Sequence, residues 1–97
     1  MTSRTDFILL PEAERDIEEI LRYTIEQWGD AQADAYWSVI WDAAQRIRAF
    51  PEIGRPRPGS KDREYLLPHH VIVYVHDDTT NLIQILRIVS HRRGSRR

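Results

Sequence analysis

The chain has 97 residues, no cysteine and a formal charge of only −1, with 41% hydrophobic and 30% charged residues. That length holds one modest core, so a single domain over residues 1–97 is expected, with any site built from a few surface side chains. The missing cysteine removes thiolate chemistry and cysteine zinc sites, and no apolar run approaches the ~20 residues of a membrane span or resembles a secretory signal, which points to a cytoplasmic protein with no membrane partner.

In chain order, "DFILL" is a short apolar run stopped by Pro11, long enough for one buried strand. From Pro11 to Trp28 the spacing turns helical: Ala13, Ile17, Ile20, Leu21, Thr24 and Trp28 recur on one face, and most of the acids lie elsewhere. Pro11 suits a first helical turn, where its missing N–H costs nothing, and Gly29 suits the end. Asp30 is placed to cap a second helix running to about Phe50, with Ala33, Tyr36, Trp37, Ile40, Ala44 and Ile47 on one side and Pro51 closing it. So short a joint predicts an antiparallel helical hairpin. Trp28, Trp37 and Trp41 gather around it, as core or hairpin packing or, less favoured, as a partner-binding patch.

"PEIGRPRPGSKD" shows no periodicity and reads as a stiff irregular loop. Strand-like runs follow: "REYLL" ended by Pro68, then "VIVYVH", a "DDTTN" turn, and "LIQILRIVS". The last two are apolar on nearly every residue, so part of the sheet is expected to be covered on both faces. The element order, one strand, two helices and three strands, predicts an α+β fold in which the three-stranded antiparallel run completes a sheet begun by the N-terminal strand.

Charge divides between the halves: residues 1–50 carry five Arg against ten Asp and Glu, and residues 51–97 carry nine Lys and Arg against five acids. All the cations but Lys61 are Arg, a bias toward planar recognition of carboxylates and phosphates and away from proton transfer. The four histidines lack metal-ligand spacing, the glycines form no phosphate-binding loop, and His69 and His70 read as a solvated turn, so neither a metal nor a cofactor is expected. The carboxylates of the first helix read as a solvated face. Arg87 interrupts an apolar strand, where an unpaired buried charge is costly, so it must pair with an acid of the helical hairpin, reach a sheet edge or face a partner.

"PEAERDIEEILRYTIEQWGDAQADAYW", "FPEIGRPRPG", "HHVIVYV" and the "ILRIV" run followed by "HRR" together resemble, in order and over nearly the whole chain, the ParE toxins of the RelE/ParE toxin–antitoxin superfamily. The resemblance implies an antiparallel sheet carrying a helical hairpin. It also implies a plasmid-addiction toxin that poisons DNA gyrase, makes no direct sequence-specific contact with nucleic acid, and is neutralised by a ParD-like ribbon-helix-helix antitoxin. The family pattern falls on Pro51, Glu52, Ile53, Gly54 and Arg55 in the loop, on Arg63 and Arg87 in the strands, and on Arg92 and Arg93 at the basic end. Target contacts are accordingly expected from Arg87, His91, Arg92 and Arg93, and antitoxin contacts from Trp37, Trp41, Arg55, Arg63, Val73 and Val75. Two departures stand out: Leu10 occupies the cap where the family usually has Ser, which weakens the helix start by about 1 kcal/mol, and Ser90 stands where many members have His. The rival reading is a RelE-like ribosome-dependent messenger endoribonuclease, for which Arg63, Arg87 and His91 would be the catalytic group, although the C-terminal Tyr of those relatives is missing and Lys is nearly absent. A non-toxic structural member of the fold is the third reading.

Overall fold

Pro11 opens the first helix without a side-chain cap, because Leu10 has no polar atom to offer; the helix instead collects Glu12 and Glu14 in its first turn, where acids suit the dipole. The computed structural model describes residues 5–91 and gives the element order β1 (Asp6–Leu9), α1 (Pro11–Trp28), α2 (Asp30–Ala49), β2 (Arg55–Pro56), β3 (Arg63–Leu66), β4 (His70–Asp77) and β5 (Leu82–Ser90). Both helices fall where apolar spacing predicts them. Their joint differs from expectation: Asp30 is the first residue of α2 and caps nothing with its side chain. Gly29 alone ends α1 and starts α2, at φ 97°, a backbone state that glycine adopts without a Cβ clash.

The strands form one sheet in the order β1-β5-β4-β3-β2. β2, β3, β4 and β5 are successively antiparallel, as the late strands were expected to be, but β1 joins β5 in parallel, so the sheet is mixed. The reason is connectivity. A parallel neighbour needs a long crossover, and the segment from α1 to β4 supplies it. β2 is a two-residue strand within the loop read as irregular, brought to β3 by the pairing of Arg55 with Glu64 and Pro56 with Arg63.

The core lies between the hairpin and one face of the sheet, where Ala13, Ile17, Tyr36, Ile40, Ala44 and Ile47 meet Ile72, Tyr74, Ile83, Ile85 and Ile88. Coverage of the late strands is uneven: four consecutive residues of β4, Val71 to Tyr74, are buried, whereas β5 alternates. β5 also carries a bulge, because Val73 opposes Arg87 while Tyr74 opposes Ile85, leaving Leu86 as the extra residue. The bulge shifts the alternation by one, so Ile83, Ile85 and Ile88 all reach the core. Neither β1 nor Trp28 is as buried as expected. β1 is an edge strand with Asp6 and Ile8 exposed, and Trp28 is 73% exposed, because the buried residues of α1, Ala13 and Ile17, lie in its first two turns and Trp28 is its last residue. Among the described residues no helix is long and apolar enough to cross a membrane.

Candidate partner-binding surfaces

The three tryptophans do not form a core. Trp37 and Trp41, one turn apart on α2, lie with ring centroids 6.2 Å apart and remain 38% and 47% exposed; Trp41 also meets the edge of Phe7 on β1 at 5.9 Å. Beneath this ridge runs a narrow apolar cavity of about 20 Å³, floored by Ile17, Ile40, Ile72, Ile85 and Ile88. A surface that gathers large aromatic rings over an apolar floor, beside the unpaired edge of β1, has the composition of a protein-binding hot spot.

At the far end of β5, the Asp16 carboxylate takes two hydrogen bonds from Arg87, at 2.7 Å from Nε and 3.1 Å from an Nη. Its Oδ2 also accepts the backbone N–H of Ile88 at 2.9 Å. β1 ends opposite Ile85, so beyond that point the β5 edge would be bare; Asp16 from α1 takes up the next edge amide. Arg87 is therefore paired with an acid of the hairpin and reaches the sheet edge, two of the three outcomes its sequence context required. Asp16, in turn, is an exception to the solvated face read for the α1 carboxylates. The fork-to-fork geometry raises the Arg87 pKa above its usual value, chiefly through its hydrogen bonds to Asp16.

The same end of the sheet gathers histidines. His70 is half-buried, and its Nδ1 meets the Tyr36 hydroxyl at 2.8 Å; His69 lies over the Tyr36 ring at 6.0 Å; and the His91 N–H donates to the His69 carbonyl. His69 is exposed as a turn residue should be, but His70 is not part of a solvated turn. Burial lowers the His70 pKa, the neighbouring His69 and His91 lower it further, and Asp16 opposes them. Tyr36 is pushed up by burial. A neutral His70 accepts the Tyr36 O–H at Nδ1, which pins the start of β4 to α2. Arg92 and Arg93, the remaining expected target contacts, lie outside the described residues.

The loop arginines are committed to the fold. Arg63 donates to the carbonyls of Glu52 at 3.2 Å and Gly54 at 2.7 Å. Tyr74 completes the latch, accepting the Gly54 N–H at 2.9 Å and donating to the Pro51 carbonyl at 2.8 Å. Burial raises the Tyr74 pKa, so the hydroxyl stays protonated to donate. Gly54 has no room for a side chain: a Cβ there would sit 2.7 Å from the Tyr74 hydroxyl and 2.9 Å from the Glu64 carbonyl. Arg55 pairs with Glu64 at 3.1 Å, and Arg57 approaches Glu64 and Asp62. The Pro-Glu-Ile-Gly-Arg pattern thus encodes a latched loop.

Of the six residues expected to meet an antitoxin, Trp37 and Trp41 share the ridge on α2, whereas Arg55, Val73 and Val75 belong to the sheet face away from the helices and Val73 is only 6% exposed. Arg63 and Arg87 point to different partners, loop carbonyls and Asp16, on strands separated by β4, and His91 lies at the His69 end. Sequence reasoning missed Tyr36, Tyr74 and Asp16. Each left only a trace: Tyr74 as a polar residue in the otherwise apolar "VIVYV", Tyr36 in the α2 stripe, and Asp16 as one of several hairpin acids open to Arg87.

Known proteins share both the sequence pattern and the fold. A family model described as the ParE toxin of the type II toxin–antitoxin system parDE matches residues 7–94. The chain is 33% identical over 92 residues to Toxin ParE1 of Mycobacterium tuberculosis, covering 89% of this chain and 90% of that one. A chain of the chromosomal ParDE toxin–antitoxin system from P. aeruginosa has the same fold, with a TM-score of 0.78 at 20% identity over 90% of this chain and 96% of its own. A chain of the toxin–antitoxin complex RelBE2 from Mycobacterium tuberculosis gives a TM-score of 0.66 at 16% identity over 92% of this chain and 100% of its own. With the family pattern matched from β1 to beyond β5, the chain belongs to the ParE toxin family of type II toxin–antitoxin systems.

Proposed function

We propose that this toxin inhibits DNA gyrase and is held inactive by a ParD-like ribbon-helix-helix antitoxin. The observation that carries the choice of target is the commitment of Arg63 and Arg87. A ribonuclease built on this scaffold would need cations free to meet the scissile phosphate, and here one guanidinium holds the loop while the other is forked onto Asp16. The basic end of the chain beyond β5, His91 with Arg92 and Arg93, then serves as a protein-facing surface against gyrase or its DNA complex, with Arg87 held back by Asp16. The Trp37–Trp41 ridge is the anchor for the antitoxin, supported by its exposed neighbouring rings and apolar floor.

The test is a pair of assays on purified, antitoxin-free protein: gyrase supercoiling scored for trapped cleaved DNA, and messenger cleavage on translating ribosomes. Loss of supercoiling with RNA intact is the expected result. Codon-positioned RNA cuts with gyrase untouched would overturn the proposal and return Arg63, Arg87 and His91 to a catalytic role.

A further inference from the structure

Beyond the C-terminal end of α2, the chain turns through Phe50, Pro51 and Glu52 before Gly54 enters the latch. Ala49, Phe50, Pro51, Glu52 and His76 line an open groove of about 270 Å³. That is slightly below the range of pockets that hold drug-sized ligands, ~300–1,000 Å³, and suits one long side chain. Three features of its wall bear on what enters it.

Phe50 is 66% exposed, although its backbone is fixed, its N–H donating to the Arg46 carbonyl and its own carbonyl accepting from Ile53. The fold therefore presents this ring to solvent from a rigid frame. The Glu52 carbonyl accepts from Arg63, but the Glu52 carboxylate has no hydrogen bond or ion pair among the described residues, because the nearby cations Arg55 and Arg57 pair with Glu64 and Asp62. His76 is tied through Nε2 to Asn81 Oδ1 at 2.9 Å and so contributes a fixed wall.

We propose that this groove docks an arginine side chain of a protein partner, with the guanidinium stacked on the Phe50 ring and forked onto the Glu52 carboxylate. Charge complementarity selects this occupant. An anion is repelled by Glu52, and an apolar side chain would bury the carboxylate unpaired. Arginine satisfies both walls at once, because its planar guanidinium stacks on an aromatic face and presents paired N–H groups to a carboxylate, whereas the ammonium of lysine offers a compact charge without the fork. The site is separate from the Trp37–Trp41 ridge and does not depend on which target the toxin attacks.

The experiment is a titration of the ¹⁵N-labelled chain with the blocked tripeptide Gly-Arg-Gly, followed by amide shifts. Saturable shifts confined to residues 49–53 and 76 are expected, with the citrulline tripeptide giving none. Glu52→Gln should weaken the apparent affinity about tenfold, the size of one charge-assisted contact, and Phe50→Leu by several-fold. Both residues are exposed, so the variants keep the fold, which the unchanged remainder of the spectrum verifies. Equal shifts with citrulline, shifts scattered over the surface, no saturable shift at all, or indifference to Glu52→Gln would each overturn the proposal.

Discussion

Asp16 and Arg87, 71 residues apart in the chain, meet in a two-pronged contact that also closes the sheet, because the oxygen that accepts Arg87 Nε also accepts the edge N–H of Ile88. The two partners are therefore unequal. Removing Arg87 leaves Asp16 bonded to the sheet edge, whereas removing Asp16 strips both groups. Asp16→Ala should cost about 1–3 kcal/mol, the range for an unsatisfied polar group, and Arg87→Ala clearly less, since its side chain is 43% exposed. Urea unfolding midpoints of the two variants check the order; a larger loss for Arg87→Ala would refute it.

The latch around Gly54 predicts an effect that side-chain size alone controls. Gly54→Ala places a methyl group against the Tyr74 hydroxyl and the Glu64 carbonyl, and should destabilise by about 1–3 kcal/mol through overpacking. Tyr74→Phe keeps the ring but leaves the Gly54 N–H and the Pro51 carbonyl unpartnered, so it should speed hydrogen exchange at Gly54 selectively. Unchanged exchange there would mean that the hydroxyl does not hold the loop.

Acid should weaken the His70 end. Its folded pKa is lowered by burial and by His69 and His91, with Asp16 opposing and the Tyr36 hydroxyl bonded to Nδ1. Between that lowered value and the ordinary histidine pKa of about 6.5, the unfolded chain binds more protons, so stability rises with pH across the window. The contribution is complete above about pH 6.5 and is lost as the pH falls toward the folded pKa. Unfolding midpoints at pH 7.5 and 5.5 should show the decrease, and His70→Gln should flatten it. An undiminished slope in that variant would assign the pH dependence to other groups.

The exposed tryptophans should separate stability from binding. Trp28→Ala, at a position 73% exposed, should change stability by no more than about 0.5 kcal/mol. Trp37→Ala and Trp41→Ala should leave a folded chain yet weaken antitoxin binding by about 2 kcal/mol or more if the ridge is its anchor. Calorimetric titration with the cognate antitoxin measures this, and unaltered affinity in both variants would remove the ridge from the interface.

Much of the fold was legible because periodicity reports local geometry. The α1 spacing and its flanking Pro11 and Gly29 fixed both ends of that helix, and the apolar runs located β3, β4 and β5. What periodicity cannot carry is pairing between distant residues. The direction of β1, the bulge at Leu86 and the partnership of Asp16 with Arg87 all depend on side chains brought together by the completed sheet. The tryptophans misled for a related reason: helical spacing places Trp37 beside Ile40 and Ala44, but only the position of the sheet decides which edge of that stripe is covered. In the binding surfaces, the arginines were visible and a hairpin acid was open to Arg87, but the commitment of Arg63 was not legible, since it is occupied by backbone carbonyls that any sequence possesses.

The parallel pairing of β1 with β5 also sets the order in which a newly made molecule becomes competent. Phe7 lies beside Ile83, and Thr5 bonds Asn81, 76 positions further along the chain, so β1 waits for β5. Until β5 has cleared the ribosome, β1 has no neighbour, Trp41 lacks the Phe7 ring it leans on, and Asp16 has no edge to close. The Trp41 ridge and the Asp16 closure are therefore late features of the fold, completed only when β5 is in place.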